Sequence, residues 1–275
     1  MHLSRFQNSA VFPVDLMKKI KNILVVCKHQ SDSKEAESCR ILFEKNLKIR
    51  YAWKNHFEEK DLQDTDLVIS IGGDGTALSA SHFLKNTPLL AVNSSPKTSE
   101  GALTTISLNQ LKQKLKQIEL GEYEIEKLGR IEVEINKKTQ DLLALNEVFL
   151  ANKNAYKTSK YILRIKQGKK LIKEKQKSSG LIIATGTGST AWFRSAGGNS
   201  FPANSEYLKL LVREPYIRKL NAFSQFRATL HKNDWTEIKP RTRMVLAIDS
   251  IREFQLSPAN KIKIKLSKHP LLRIR

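Results

Sequence analysis

Leu67-Val68-Ile69-Ser70-Ile71 runs without a break into Gly72-Gly73-Asp74-Gly75-Thr76, and a helix is predicted over residues 77–84. An apolar run this short, closed by glycines, reads as a strand covered on both faces. A strand that turns on glycines into a helix is the opening of a parallel α/β unit. Glycines let the backbone approach a ligand closely and adopt positive φ, and the helix N-terminus points free N–H groups at an anion. The turn therefore reads as a phosphate cradle, with Asp74 at odds with it. A carboxylate repels phosphate unless a metal ion bridges the two or the carboxylate is needed to take a proton from a hydroxyl nucleophile. A plain strand-to-helix turn capped by Asp is the alternative, and the full five-residue string weighs against it.

The neighbouring segments extend the pattern. Asn22 to Cys27 is a β-branched run, followed by a helix that Asp32 or Ser33 would cap and whose apolar face is Ala36, Cys39, Arg40, Ile41 and Phe43. Leu47 to Trp53, Asp66 to Ile71 and Pro88 to Val92 are further strands, so a doubly wound open sheet is expected. After Leu120 the texture changes. Tyr123 to Ile135 alternates apolar residues with Glu124, Glu126, Glu132 and Glu134, as in antiparallel sheet with one wet face. Tyr161 to Ile165, the turn Gln167-Gly168 and Leu171-Ile172 continue it as a hairpin, with more strands at Met244 to Ile248 and Ile262 to Leu266. The fold class is α/β: an N-terminal doubly wound α/β domain over residues 1–105, with 1–18 as an extension, and a β-rich, sandwich-like domain from 106.

Composition limits the function classes. A hydrophobic fraction of 40% in 275 residues excludes disorder, and 48 Lys and Arg against 27 Asp and Glu leave a net charge of +21. That excess points to an anionic partner, and nucleic acid, phospholipid and nucleotide all satisfy it. The segment Lys153 to Lys177 holds ten Lys or Arg and reads most simply as a solvated hairpin face. Two cysteines, Cys27 and Cys39, are too few for a zinc cluster and fit a reducing, cytoplasmic setting. No apolar run approaches the roughly 20 residues that span a bilayer. Residues Met1 to Leu16 faintly resemble a transit peptide without a clear amphipathic repeat. The six histidines are scattered, so no protein-only metal site is expected, and Walker A and G-x-S-x-G sequences are absent.

Two further stretches carry candidate chemistry. Gly180 to Trp192 is again a strand, a small-residue turn and a predicted helix start, in which Gly186, Gly188 and Ala191 satisfy the dinucleotide pattern G-x-G-x-x-A, with Glu206 about 20 residues on. Its hydroxyl cluster, Thr185, Thr187, Ser189 and Thr190, offers an alternative use in hydrogen bonding to ribose and phosphate. Asn146-Glu147 is a polar pair in an apolar stretch. It is suited to a base edge and a ribose diol, or else to a strand end facing water.

Gly-Gly-Asp-Gly-Thr at 72–76, Asn146-Glu147, Thr187-Gly188-Ser189-Thr190-Ala191 and Ser195-Ala196-Gly197-Gly198 together resemble the NAD kinase family, from Ile23 to the final Leu-Leu-Arg-Ile-Arg. Val92-Asn93-Ser94, Ser178-Ser179-Gly180 and Val212-Arg213-Glu214-Pro215 are similar to its plant NADH kinase and mitochondrial branch. Ser179 stands where the common bacterial form has Asp, Gly186 where it has Pro, Trp192 for Tyr, and Asp249-Ser250 for Asp-Gly. The resemblance implies a segment 251–275 that returns to the first domain and transfer of the ATP γ-phosphoryl group to the 2′-hydroxyl of the adenosine ribose of NAD or NADH. It also implies Mg²⁺ brought with ATP, and a homodimer or homotetramer. On the residues, it implies Asp74 as general base and Gly72, Gly73, Gly75 and Thr76 on phosphates. Asn146 and Glu147 would take the adenosine half, with Thr187, Gly188, Ser189, Thr190, Ala191, Trp192 and Ser195 around the remaining ribose and nicotinamide, Ser179 beside them and Lys177 near phosphate. The competing expectations are a lipid kinase of the diacylglycerol or sphingosine type, which shares the glycine-rich Asp motif, and a non-catalytic dinucleotide or nucleic-acid binder, against which the presence of Asp74 counts. The reading adopted has neither nucleic acid nor membrane as partner.

Overall fold

The computed structural model describes residues 20–28, 47–97, 101–217 and 223–275; the expected helix capped by Asp32 or Ser33 and the 1–18 extension lie outside them. Its first sheet begins with Asn22–Cys27 (β1), Lys48–Trp53 (β2) and Leu67–Gly72 (β3), followed by the helix Asp74–Ser81 (α1) and Leu89–Asn93 (β4). Ile106–Ser107 (β5), the helix Leu111–Glu119 (α2) and Ile125–Leu128 (β6) come next. β1 to β5 pair in parallel. Alternate residues of the strands enter two separate cores: Leu24, Val26, Val68 and Ala91 pack with Ala77 and Ala80 of α1, and Val25, Ile69, Leu90 and Val92 pack with Leu111 and Ile118 of α2. Burial on both faces is why these strands read as unbroken apolar runs.

The stretch 123–135 does not form one antiparallel unit. β6 stays in the first sheet, whereas Ile131–Ile135 (β7) joins the second, with Gly129 and Arg130 at the corner. Alternation reports one wet face and is blind to which sheet supplies the partner. The remaining strands are Lys138–Ala144 (β8), Glu147–Ala151 (β9), Ser159–Gln167 (β10), Lys170–Ser178 (β11), Gly180–Ala184 (β12), Tyr207–Arg213 (β13) and Arg227–His231 (β14). Trp235–Pro240 (β15), Met244–Ile248 (β16), Arg252–Leu256 (β17) and Ile262–Leu266 (β18) complete two six-stranded sheets, ordered β11-β10-β15-β18-β7-β8 and β14-β13-β12-β9-β16-β17. They face each other across one core that includes Val133, Tyr161, Leu163 and Ile264 from one sheet and Val148, Leu150, Ile183 and Leu246 from the other. The lysine-rich tract is the edge strand β11 and its partner, with Lys170, Lys173 and Lys175 exposed, and such charges discourage edge-to-edge pairing. Only Leu271–Ile274 (β19) returns to the first sheet, between β4 and β6, while β17 and β18 stay in the sandwich.

The β16–β17 turn places Asp249 at φ 50° and Ser250 at φ 55°, closed by a 2.9 Å bond from the Ile251 amide to the Ile248 carbonyl. Two consecutive left-handed residues are what a tight hairpin demands, and glycine is favoured at the second. A serine side chain there works against the backbone. Ser250→Gly is expected to raise the unfolding free energy by about 1 kcal/mol, measured by denaturant titration; no gain would mean that Ser250 makes a compensating contact.

Candidate functional site

Strand order β2-β1-β3-β4 means that the chain runs to one side of β1 for β2 and to the other for β3. Open α/β sheets bind ligands at the carboxyl ends of strands beside such a reversal. The glycine turn sits there. Gly72 has φ 153°, and a β-carbon on it would collide with the Thr76 side chain, so this position requires glycine. Gly73 is the extended N-cap, and the helix starts at Asp74, not at Ala77 as expected, with Thr76 N bonded to Gly73 O at 2.9 Å. A carboxylate in the first turn complements the positive end of the helix, which starts it three residues earlier than apolar spacing alone indicates.

Asp74 is held at both oxygens: Ala102 N donates to Oδ2 and Leu103 N to Oδ1, each at 2.8 Å. Arg273 of β19 fixes that loop in turn, donating through Nη1 to the carbonyls of Ala102 at 3.3 Å and Leu103 at 3.2 Å, while its Nε binds Glu126 Oε2 at 2.9 Å. The carboxylate is thus oriented, and each oxygen keeps a second lone pair for a substrate hydroxyl.

Asn146 and Glu147 lie at the start of β9 and are anchored by Asp249. Its two oxygens accept the amides of Leu145 at 2.7 Å, Asn146 at 2.8 Å and Glu147 at 2.9 Å, and Oδ2 also meets His82 Nε2 at 2.9 Å. Both the His82 and the Asp249 side chains are fully buried. His82 caps the C-terminal end of α1, and its carbonyl accepts Leu143 N at 3.1 Å. Buried Arg130 takes the carbonyls of Ser81, at 2.6 Å, and Leu84. Helix α1 therefore carries Asp74 at one end and is pinned at the other to the segment that presents Asn146 and Glu147. Sequence reasoning counted His82 among scattered histidines and noted Asp249 only in the pair Asp249-Ser250 that replaces the family's Asp-Gly, because nothing local marks a partner 167 residues away.

Glu147 is only 4% exposed, and its Oε2 has no hydrogen-bond partner among the described residues. Burial, and then the Asp249 carboxylate, push its carboxyl up from the ordinary 4.5 to about 7. An acid raised in the folded state binds its proton more tightly there than in the unfolded chain. Its contribution to stability is therefore full below the ordinary value of 4.5 and lost as pH climbs towards 7. The loss is at most roughly 3 kcal/mol. Glu147→Gln should accordingly be more stable than wild type near pH 8 and equal to it near pH 4, by denaturant unfolding at both; an equal loss of stability at both would contradict the assignment.

The turn after β12 does not carry the dinucleotide fingerprint. β12 pairs antiparallel with both β9 and β13, so it opens no βαβ unit, and Glu206 has no fingerprint to complete. Side chains on Gly186 and Gly188 would collide with the carbonyls of Pro202 and Asn146, so these glycines admit neighbouring backbone where phosphate was expected. Two of the four hydroxyls are internal. Thr185 Oγ1 donates to Leu145 O at 2.5 Å and accepts Gly188 N at 3.1 Å, and Ser189 Oγ donates to Gly186 O at 2.7 Å and accepts Phe201 N at 3.0 Å. Thr187 Oγ1 is buried without a partner among the described residues, and exposed Thr190 donates only a 3.4 Å bond to Thr187 O. The stretch thus brings Thr185 and Gly188 against the backbone of Asn146.

Trp192 begins the short helix Trp192–Ser195 (α3), packs against Phe149 with ring centroids 4.3 Å apart and planes tilted by 42°, and shares the Arg213 guanidinium with it. Ala191 is half-buried and Ser195 exposed. Ser179 N donates to Arg213 O at 3.1 Å. Lys177 lies 4.1 Å from the Tyr216 ring centroid, over its face. The glycine turn is linked to the segment at 145–147 through α1, His82 and Asp249. Among the described residues no helix is long and apolar enough to cross a membrane.

A family model described as the ATP-NAD kinase N-terminal domain matches residues 7–123. The chain is 35% identical over 172 residues to a probable NADH kinase of Oryza sativa subsp. japonica, covering 56% of this chain and 53% of that protein. Among solved structures it is similar to an NAD kinase from Archaeoglobus fulgidus in complex with ATP, with a TM-score of 0.72 and 24% identity over 92% of this chain and 93% of that one. It is also similar to yeast NADH kinase complexed with NADH, with a TM-score of 0.75 and 18% identity over 94% and 84%. At these identities the two structures show the fold. The chain spans about half the length of the curated relatives it matches.

Proposed function

The chain belongs to the NAD kinase family, and from that premise we propose that it transfers the γ-phosphoryl group of MgATP to the 2′-hydroxyl of the adenosine ribose of NAD or NADH. The observation that carries this is Asp74, at the first position of α1 behind the glycine turn, with its carboxylate oriented by the amides of Ala102 and Leu103. As the 2′-oxygen bonds to the γ-phosphorus, the bond from that phosphorus to the bridging oxygen breaks and ADP leaves with the electron pair. The 2′-OH proton passes to Asp74 and then to solvent. Such a transfer depends on alignment and charge stabilisation more than on covalent help from the protein.

Glu147, with an oxygen buried and unpartnered, and Asn146 beside it would hold the adenosine half of the acceptor. Thr187, Thr190 and the face of Trp192 would line the rest, with Ser179 nearby. The helix end and glycines 72, 73 and 75 with Thr76 would hold phosphates. A cytoplasmic homodimer or homotetramer is the form proposed, with neither nucleic acid nor lipid as substrate. The test is incubation with MgATP and NAD, NADH or diacylglycerol, with NADP(H) detected by an NADP-specific dehydrogenase. NADP or NADPH is the expected product. ATP consumed only with the lipid would replace this reading with the lipid-kinase one.

A further inference from the structure

The register of the first sheet sets two lysines beside the glycine turn. Cys27, the last residue of β1, is level with Trp53 of β2 and with Ile71 of β3. One residue further, Lys28, Lys54 and Gly72 therefore emerge side by side at the carboxyl edge, and Lys54 N donates to Cys27 O at 2.8 Å. Strand alternation settles the direction. Val26 and Ala52 pack in the core beneath α1, so residues two places on, 28 and 54, fall on that same face. A β-carbon on Gly75, in the first turn of α1, would lie 3.3 Å from Lys54 Nζ, and one on Gly72 would lie 3.5 Å from Lys28 Cβ. Two ammonium groups thus flank the helix end where N–H groups lack intrahelical acceptors.

Neither lysine meets a carboxylate among the described residues. Partial burial, and then the charge of Lys28, hold the Lys54 ammonium below its ordinary value, as expected for like charges gathered with nothing between them. Resting on the kinase reading above, we propose that Lys54, with Lys28 beside it, clamps the polyphosphate of the phosphoryl donor against the N-terminus of α1. An anion there meets two cations and the positive end of the helix together, which explains how an acidic group, Asp74, can stand in the same turn without expelling it. Gly75 then has a second use, since a β-carbon at that position would shift the Lys54 ammonium by a few tenths of an ångström. The acceptor's pyrophosphate has the same chemistry, so the test must separate donor from acceptor.

Isothermal titration with inorganic tripolyphosphate reads the clamp without catalysis. Wild type and a control, Lys160→Met on the exposed β10–β11 hairpin, should bind alike and more weakly as salt is raised. Lys54→Met should lose about 10-fold or more in affinity, Lys28→Met less, and Lys54→Arg should keep most of it. In steady-state assays Lys54→Met should raise KM for ATP by a similar factor and leave KM for NAD or NADH within about twofold. Tripolyphosphate affinity unchanged in Lys54→Met, no binding by wild type, or a rise confined to the KM of the dinucleotide would each overturn the proposal. Lys54-dependent tripolyphosphate binding without any NADP formed would instead remove the kinase reading and leave the clamp standing.

Discussion

Asp74→Asn is expected to lower the turnover of dinucleotide phosphorylation by about 10² to 10⁴ while tripolyphosphate affinity stays close to wild type. The reasoning combines chemistry with geometry. An amide cannot take the 2′-OH proton, so on the proposed mechanism the nucleophile must be deprotonated by solvent, whereas the glycines, the helix end and the lysines would still hold the donor. The substitution also replaces one carboxylate oxygen with an NH₂ group facing the amide of either Ala102 or Leu103. That loosens the loop held by Arg273 and costs about 1 to 3 kcal/mol of stability, short of unfolding the domain. Comparing kcat with a melting curve separates the two effects. Near-normal kcat in a folded variant would remove Asp74 as the base.

Asp249→Ala should have the largest effect on stability, about 3 to 5 kcal/mol lost in denaturant unfolding. The side chain is fully buried, and its removal leaves three backbone amides and the His82 ring nitrogen without an acceptor, in a place that water does not reach. The same residue joins the end of α1 to the segment at 145–147, so fewer of the surviving folded molecules hold Asn146 and Glu147 in place. KM for the dinucleotide should rise more than KM for ATP. A loss under about 1 kcal/mol would show that the amides find other acceptors and that the bridge is unimportant.

Much of the fold was legible in the amino acids. β1, β16 and β18 occupy the segments read as strands to the residue, β2 starts one residue later, and β3 and β4 are each shifted by one residue at both ends. Apolar runs, alternation and glycine are governed by local sterics and by which face is wet, and both leave a periodic trace in the chain. Glycine itself was ambiguous. At Gly72 it answers a local steric demand, the reading made for it, whereas at Gly186 and Gly188 it makes room for other backbone, which short-range pattern cannot distinguish from room for phosphate.

The candidate site divides in the same way. The acidic glycine turn and the Asn146-Glu147 pair were picked out from residue types in sequence, because each is a short string whose chemistry is unusual where it stands, and Trp192 only through the family resemblance. Lys28, Lys54, His82, Arg130 and Arg273 were not, since a lysine after a strand or a histidine after a helix is ordinary until its neighbour is known. Only the parallel register of β1, β2 and β3 brings the two lysines level with Gly72, and only the packing of α1 on the second domain sets His82 against Asp249. The chain by itself determined where backbone turns and which faces are apolar, since those follow from a few adjacent torsions and side chains. Tertiary structure decided which charges meet, because a hydrogen bond or a field between groups far apart in sequence exists only once the intervening chain has folded.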